Sequence, residues 1–240
     1  MNLVVDAGNS ATKVGIFDHE NLVGKHSFAA REELRSYLST ASFDNMIISS
    51  VSADTDLIAS WAKGRGKTFV LRNGLPLPII NRYSTPETLG MDRLAGVCGA
   101  IQLFPASNNL VIDAGTCITY DFVDKNSVFR GGGISPGLMM RFRAVHTFTA
   151  KLPLVTPESG PSLIGDSTES SIRSGVVNGI LAEIEGIIQR YRSEYPDLKA
   201  ILCGGDAVFF ENQLKASIFA IPDLVLVGLN SILIHNVNHS

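Results

Sequence analysis

The sequence predicts an α/β protein built from two related halves, and three observations carry that expectation. The first is a repeat. Leu3-Val4-Val5-Asp6-Ala7-Gly8-Asn9-Ser10-Ala11-Thr12-Lys13 aligns without a gap on Leu110-Val111-Ile112-Asp113-Ala114-Gly115-Thr116-Cys117-Ile118-Thr119-Tyr120, 107 residues further on. One Asp-Ala-Gly tripeptide would mean little, but the same tripeptide after the same apolar run suggests a duplicated unit. The second is an alternation of short β-branched runs with helical periodicities. The third is a polar break at Pro105-Ala106-Ser107-Asn108-Asn109, which sets a seam between halves 1–105 and 106–240.

Composition narrows the class. Of 240 residues, 45% are hydrophobic and 18% charged, as in an ordinary globular protein with a sizeable core. A net charge of −3 gives no pull toward nucleic acid or an anionic membrane. Cys98, Cys117 and Cys203 have no metal-ligand spacing and suit a reducing compartment. No apolar run reaches the roughly 18 residues that span a bilayer. The chain opens on a strand rather than a signal sequence, so the expected location is cytoplasmic.

In chain order, Val4-Val5 and Val14 to Phe17 read as the arms of a β-hairpin with Asp6 at its mouth. Arg31 to Ser39 reads as a surface helix. Met46-Ile47-Ile48 is a strand followed by a turn at Ser49-Ser50-Val51-Ser52, and Asp54 caps a helix to Lys63. Thr68 to Leu71 is a strand. Gly66-Lys67-Thr68 is not a P-loop, since Trp61 stands where that motif needs Gly and a strand follows instead of a helix. No dinucleotide-binding glycine fingerprint occurs either. Leu94 to Leu103 is an apolar helix with Asp92 and Arg93 at its start. An acidic residue there suits the helix dipole, whereas Arg93 does not, so capping and ligand binding both stand as readings.

In the second half, Ile118 to Val123 is the return strand. Gly131-Gly132-Gly133-Ile134-Ser135-Pro136-Gly137 implies a close backbone approach to a ligand or to another strand. Leu138 to Phe148 is helical, with Arg141, Arg143 and His146 expected on a solvated face. Val177, Ile180, Ile184, Ile187 and Tyr191 make a helical stripe that is core or subunit interface. Ala200 to Cys203 is a strand ending in Gly204-Gly205-Asp206, a third candidate turn near phosphate or nucleoside, and Val225 to Ile234 is a terminal packing helix. No histidine pairs with Cys or carboxylate at metal spacing, and no Ser-His-Asp order with a nucleophile elbow is present.

These residue types suit phosphoryl transfer, which needs positioned phosphates, a metal near a carboxylate and a base at the acceptor hydroxyl. Asp6 and Asp113 can supply charge on the metal side, holding Mg²⁺ largely through water. Gly8, Asn9, Ser10, Lys13 and Thr116 can hold phosphate oxygens. Asp92 is then the spare carboxylate for the acceptor.

At these residues the chain resembles the type III pantothenate kinases, a family of the actin-like sugar kinase and heat-shock ATPase superfamily. The resemblance rests on Asp6 to Lys13, Tyr83-Ser-Thr-Pro-Glu-Thr-Leu-Gly-Met-Asp-Arg93, Asp113-Ala-Gly-Thr116, Gly131 to Gly137, Thr168 and Gly204-Gly205. Leu-Gly-x-Asp-Arg is its specific element; the Asp-x-Gly turns mark only the superfamily. It implies two ribonuclease-H-like, actin-like ATPase half-domains with mixed sheets and an interdomain cleft, and a homodimer. It also implies ATP, Mg²⁺ and a monovalent cation (K⁺ or NH₄⁺), with pantothenate phosphorylated on its terminal hydroxyl as the first step toward coenzyme A. By that likeness Asp92 accepts the proton, and Asp6, Ala7, Gly8, Asn9, Ser10, Ala11, Thr12, Lys13 and Thr116 face ATP. Tyr83, Gly90, Met91, Asp92, Arg93 and Thr168 line the pantothenate site, Thr168 from a partner subunit. Asp113 serves the monovalent cation, and Asp6 serves Mg²⁺ through water.

The chain departs from the family pattern at Cys117, where Ala is usual, at Ser167, where Asn is common, and at Ser171, where Ala is expected. A kinase for another small hydroxylated substrate, or a non-catalytic regulatory accessory protein of the same fold, is the alternative function.

Overall fold

Eleven strands and seven α-helices fall within residues 1–8, 11–50, 55–62 and 66–239, the part of the chain that the computed structural model describes. The strands are β1 (Asn2–Ala7), β2 (Thr12–Asp18), β3 (Asn21–Phe28), β4 (Asn45–Ser50), β5 (Lys67–Val70), β6 (Ile80–Asn81), β7 (Asn109–Ala114), β8 (Cys117–Val123), β9 (Val128–Pro136), β10 (Lys199–Cys203) and β11 (Phe219–Ala220). The helices are α1 (Arg31–Thr40), α2 (Thr55–Trp61), α3 (Met91–Leu103), α4 (Leu138–Thr147), α5 (Thr168–Glu194), α6 (Ala207–Glu211) and α7 (Leu224–Asn238). They gather into two units. One comprises 1–106, 126–130 and 223–240; the other comprises 107–125 and 131–222. The terminal helix α7, expected with the second half, thus clusters with the first.

In the first unit the sheet order is β3-β2-β1-β4-β5, with β1 antiparallel to β2 and parallel to β4. The sheet is therefore mixed. Side chains alternate along β1. Leu3, Val5 and Ala7 join a core with Leu34 and Leu38 of α1 and Ile58 of α2. By the period of two, Val4 and Asp6 point to the opposite face. There α7 packs on β1, β2 and β4, and α3 packs on α7.

The α3–α7 crossing depends on two residues without side chains. A methyl group at Gly228 would overlap the carbonyl of Ala95, and one at Gly99 would overlap the carbonyl of Leu224. The two backbones touch, which explains how α3 can be buried from Arg93 to Ala100.

The second unit's sheet runs β11-β10-β7-β8-β9, with β7 antiparallel to β8 and parallel to β10. Leu110, Ile112, Ala114, Ile118, Tyr120 and Phe122 form one face of a core with α4 and α5. The short β6 pairs with the first residues of β9, Ile80 opposite Val128, and both belong to the first unit.

Several expectations shift here. Ser49 and Ser50 continue β4 rather than turning, while Val51, Ser52, Asp54 and Lys63 lie outside the described residues. The three glycines lie inside β9, and a methyl at Gly132 would overlap the carbonyl of Tyr120. Close strand packing, the second of the two readings, accounts for that glycine. The α5 stripe is core: Val177, Ile180 and Ile184 are buried, with Ile187 and Tyr191 packed against them. Gly66 does precede a strand, β5, as the rejection of a P-loop requires.

Gly228→Ala tests the crossing. Helix propensity alone would favour the change by about 1 kcal/mol, but forcing the backbones apart should cost roughly 3 kcal/mol. Urea unfolding should show a net loss of about 2 kcal/mol. A variant as stable as the parent would mean that the helices do not meet there.

Candidate active site

The β1–β2 hairpin delivers the first cluster. Asp6 is paired across the strands with Lys13, and Ala7 with Thr12. Below the tip, the amide of Gly8 donates to the carbonyl of Ala11 at 3.2 Å. Asn9 and Ser10 lie outside the described residues. Asp6 is only partly exposed, and burial pushes its carboxyl up to about 6; Lys13 pulls against that, and the charge of Asp92 adds to it. That Asp92 acts on Asp6 at all means that the start of α3 lies within electrostatic reach of the end of β1. The parity of β1 had already turned Asp6 toward the face that carries α3 and α7.

Asp92 sits in the first turn of α3, behind the N-cap Gly90. One carboxylate oxygen accepts the amide of Arg93 at 2.9 Å, satisfying one of the orphan donors of the helix start. Arg93 is buried, with its guanidinium 5.4 Å from the centre of the Tyr83 ring. Tyr83 in turn stacks on Phe129, centroids 6.0 Å apart. So Arg93 is not a surface cap: it is buried, with an aromatic face against its cation. Tyr83, Gly90, Met91, Asp92 and Arg93 are brought together by one short segment of the first unit.

In the second unit, Asp113 is the next-to-last residue of β7, and the amide of Gly115 donates to the carbonyl of Cys117 at 2.9 Å to close the turn. Gly204 packs on this turn. It has φ +94°, and a methyl there would overlap a carboxylate oxygen of Asp113 and the carbonyl of Ala114. The amide of Asp206 donates to that same carbonyl at 2.8 Å, and burial raises the Asp206 carboxyl. The third turn candidate therefore supports the Asp113 turn within the same unit. Thr116 is exposed.

Thr168 is exposed at the first position of α5, beside an open cavity of about 650 Å³ lined also by Leu152, Gly165, Ser167 and Ile172. Ser167 caps the helix: its hydroxyl accepts from the amide of Ser170 at 3.2 Å, and Ser170 Oγ accepts from the amide of Ser167 at 2.9 Å. Ser and Asn are about equal as N-caps, so the Ser167 departure leaves the helix start intact. Ser171 is exposed and Cys117 half-buried.

One pair escaped the sequence reading. Arg141, expected on a solvated face, is instead 2.5 Å from Glu183 of α5, both side chains largely buried. The available signal was a cation near the start of α4, where the dipole disfavours it. Arg143 and His146 are exposed, as expected. Among the described residues no group of three or more metal-ligating side chains occurs, and no helix is long and apolar enough to cross a membrane.

Comparison with known proteins was made against this geometry. A type III pantothenate kinase of Christiangramia forsetii is 46% identical over 98% of this chain and 99% of its own. Among solved structures, a protein described as a Baf family transcriptional activator from Campylobacter jejuni superposes with a TM-score of 0.65 at 19% identity, covering 98% of this chain and 99% of that one. Another, described as a 2-dehydro-3-deoxygalactonokinase from Sinorhizobium meliloti, gives 0.56 at 16% over 97% and 98%. At those identities the structures establish a shared fold with sugar kinases and nothing further. The family profile described as type III pantothenate kinase matches residues 2–190, and with that match the chain belongs to the type III pantothenate kinase family.

Proposed function

We propose that the chain transfers the γ-phosphoryl group of ATP to the terminal hydroxyl of pantothenate, giving 4'-phosphopantothenate and ADP at the entry to coenzyme A biosynthesis. The observation that carries the reading is the cluster Asp6, Lys13 and Asp92, two carboxylates and one ammonium within electrostatic reach at the open end of β1. The acceptor oxygen attacks phosphorus, the bond to the ADP oxygen breaks, and the hydroxyl proton passes to Asp92. Phosphoryl transfer asks for little else but position and compensating charge.

On this reading residues 6–13 and Thr116 hold the phosphates. Tyr83 and Gly90 to Arg93 hold pantothenate, and Thr168 reaches it from a second copy of the chain. A donor set of single carboxylates fits Mg²⁺, which keeps most of its waters and takes phosphate oxygens. Asp6 would hold it through water, and it would neutralise charge developing on the phosphates. Asp113, beside the carbonyl of Ala114, offers the oxygen ligands that a monovalent cation such as K⁺ or NH₄⁺ takes. A homodimer would cover Ile134, Phe148, Leu163 and Ile164, which are 65% to 86% exposed in the second unit. ATP, the reducing setting suited to three free cysteines and a biosynthetic substrate all favour a cytoplasmic location.

Purified protein with ATP, Mg²⁺, K⁺ and pantothenate should form phosphopantothenate with no partner protein, and sugars or acetate should not replace pantothenate. A regulatory accessory protein would show no turnover. Asp92→Asn should fold normally and lose roughly 10²–10⁴-fold in kcat; near-normal turnover would remove the carboxylate from its role.

Asp6 adds a pH dependence. Its ionised form is the one that attracts the metal, so kcat/KM for ATP should fall as pH drops through about 6. A rate independent of pH between 5 and 8 would speak against it. The stability effect has the opposite sense. The folded chain holds the Asp6 proton more tightly than the unfolded one. The resulting stability, about 3 kcal/mol at most, is complete below about pH 4 and lost as pH rises through about 6. Asp6→Asn, which mimics the protonated form, should therefore be inactive yet more stable than the parent at pH 8, with the advantage shrinking toward pH 5. Urea unfolding at both pH values checks this.

A further inference from the structure

Beyond the groups that would touch ATP or pantothenate, the second unit contains a closed ring of interactions around the Gly115–Thr116 turn. Thr116 leads into β8, where Tyr120 donates its hydroxyl to one Glu183 oxygen at 2.8 Å. The other Glu183 oxygen accepts Arg141 Nη2 at 2.5 Å. Arg141 also donates to Ser135 Oγ and, through Nε, to the carbonyl of Pro136, both at 2.9 Å. The next residue, Gly137, donates its amide to the carbonyl of Thr116 at 3.2 Å. A methyl at Gly137 would overlap the carbonyls of Gly115 and Thr116. The ring runs from Thr116 along β8, across α5 and α4, and back to Thr116.

Its charges look arranged for position. An Arg near a helix N-terminus is disfavoured by up to about 1 kcal/mol, so Arg141 is held there against the dipole of α4. Burial alone would raise the Glu183 carboxyl; hydrogen bonds from Arg141, Tyr120 and Ser135 outweigh it and leave Glu183 below its ordinary value. One donor on each oxygen, Tyr120 and Arg141, fixes the orientation of the carboxylate. Glu183 also lies on α5, the helix that begins at Thr168. The same side chain thus ties the phosphate-side turn to the helix carrying the acceptor-side threonine.

We propose that Glu183 and Arg141 are positioning residues for the Thr116 turn. They set where its hydroxyl and amides meet the ATP phosphates, without touching the nucleotide. The proposal rests on the reading that this turn faces ATP. Glu183→Gln keeps the shape and a partner for Tyr120 but removes the charge that orients Arg141. It should raise KM for ATP roughly tenfold while KM for pantothenate stays within about twofold and the thermal midpoint stays near the parent's. Arg141→Lys, which keeps the charge but cannot reach three acceptors, should fall between parent and Glu183→Gln. Tyr120→Phe removes one arm of the ring and should raise KM for ATP by about two- to threefold, which gives a reading should Glu183→Gln not fold. Thr116→Ala measured alongside separates the two ideas. If Thr116→Ala raises KM for ATP and Glu183→Gln lowers only stability or kcat, the pair is structural and the proposal is overturned while the kinase reading stands. If Thr116→Ala leaves KM for ATP unchanged, the turn does not face ATP and the proposal fails at its base.

Discussion

Asp6 stands at the end of a strand that has neighbours on both edges and helices over its face, and most of what the first unit does follows from the water this removes. Burial makes the charged carboxylate costly, Lys13 offsets part of that, and Asp92 adds repulsion. A sheet with fewer contacts would relax and let Asp6 reach solvent. This one does not, because Leu3, Val4 and Val5 are essentially fully buried and β1 pairs with β2 and β4 along its whole length. On the proposed reading, a bound cation would offset the negative charge of both carboxylates and favour their ionised forms. Ligand binding would then stabilise the unit by mass action.

The second unit starts from the same strand and turn but supports it differently. Asp113 has Gly204 packed against it, and the turn beyond is braced by Gly137 and by the ring through Glu183. The support comes from close backbone approach on one side and a charged hydrogen-bond network on the other. Neither could have been copied from the first half, where Lys13 lies directly across from Asp6. Each of the two similar strand-and-turn units thus has its own means of holding the carboxylate. The second turn is one residue shorter, so Thr119 lies across from Asp113 where Lys13 lies across from Asp6, and the neighbouring Tyr120 donates its hydroxyl to Glu183 instead.

Much of this was legible in the sequence, for reasons that can be named. The strands β1 and β7 follow from short β-branched apolar runs that suit a buried strand, and the hairpins from the small turns after them. Asp6 and Asp92 were expected at one site from the needs of phosphoryl transfer, and the charge of Asp92 does bear on Asp6. What was not legible depends on long-range packing. Ser49 and Ser50 have turn propensity, but β1 pairs with both, Asp6 opposite Ser49 and Ala7 opposite Ser50, and holds them in a strand. The helix α5 begins at Thr168, ahead of its apolar stripe, because a capping box of two serines replaced the more familiar Ser-x-x-Glu. Arg141 and Glu183 lie 42 residues apart, and nothing local distinguishes either from a surface charge. The membership of α7 in the first unit was hidden because Gly99 and Gly228 announce a crossing only when seen together.

The duplicated and the unduplicated parts divide the chemistry between them. The Asp-Ala-Gly turns occur in both halves and, on the proposed reading that they face the triphosphate, suit any acceptor, since a triphosphate presents the same oxygens to every kinase of this fold. The segment from Tyr83 to Arg93 occurs once. Its side chains are fixed by a stack in which Phe129 supports Tyr83 and Tyr83 faces Arg93. A buried, always-charged guanidinium on a rigid ring cannot easily be moved to suit another ligand. A site built this way rejects an acceptor that leaves its polar groups unmatched far more strongly than one that merely fits loosely. On the proposed reading, in which this segment and Thr168 of a second copy meet the acceptor, exchanging the segment would change which alcohol is phosphorylated before it changed how the nucleotide is held.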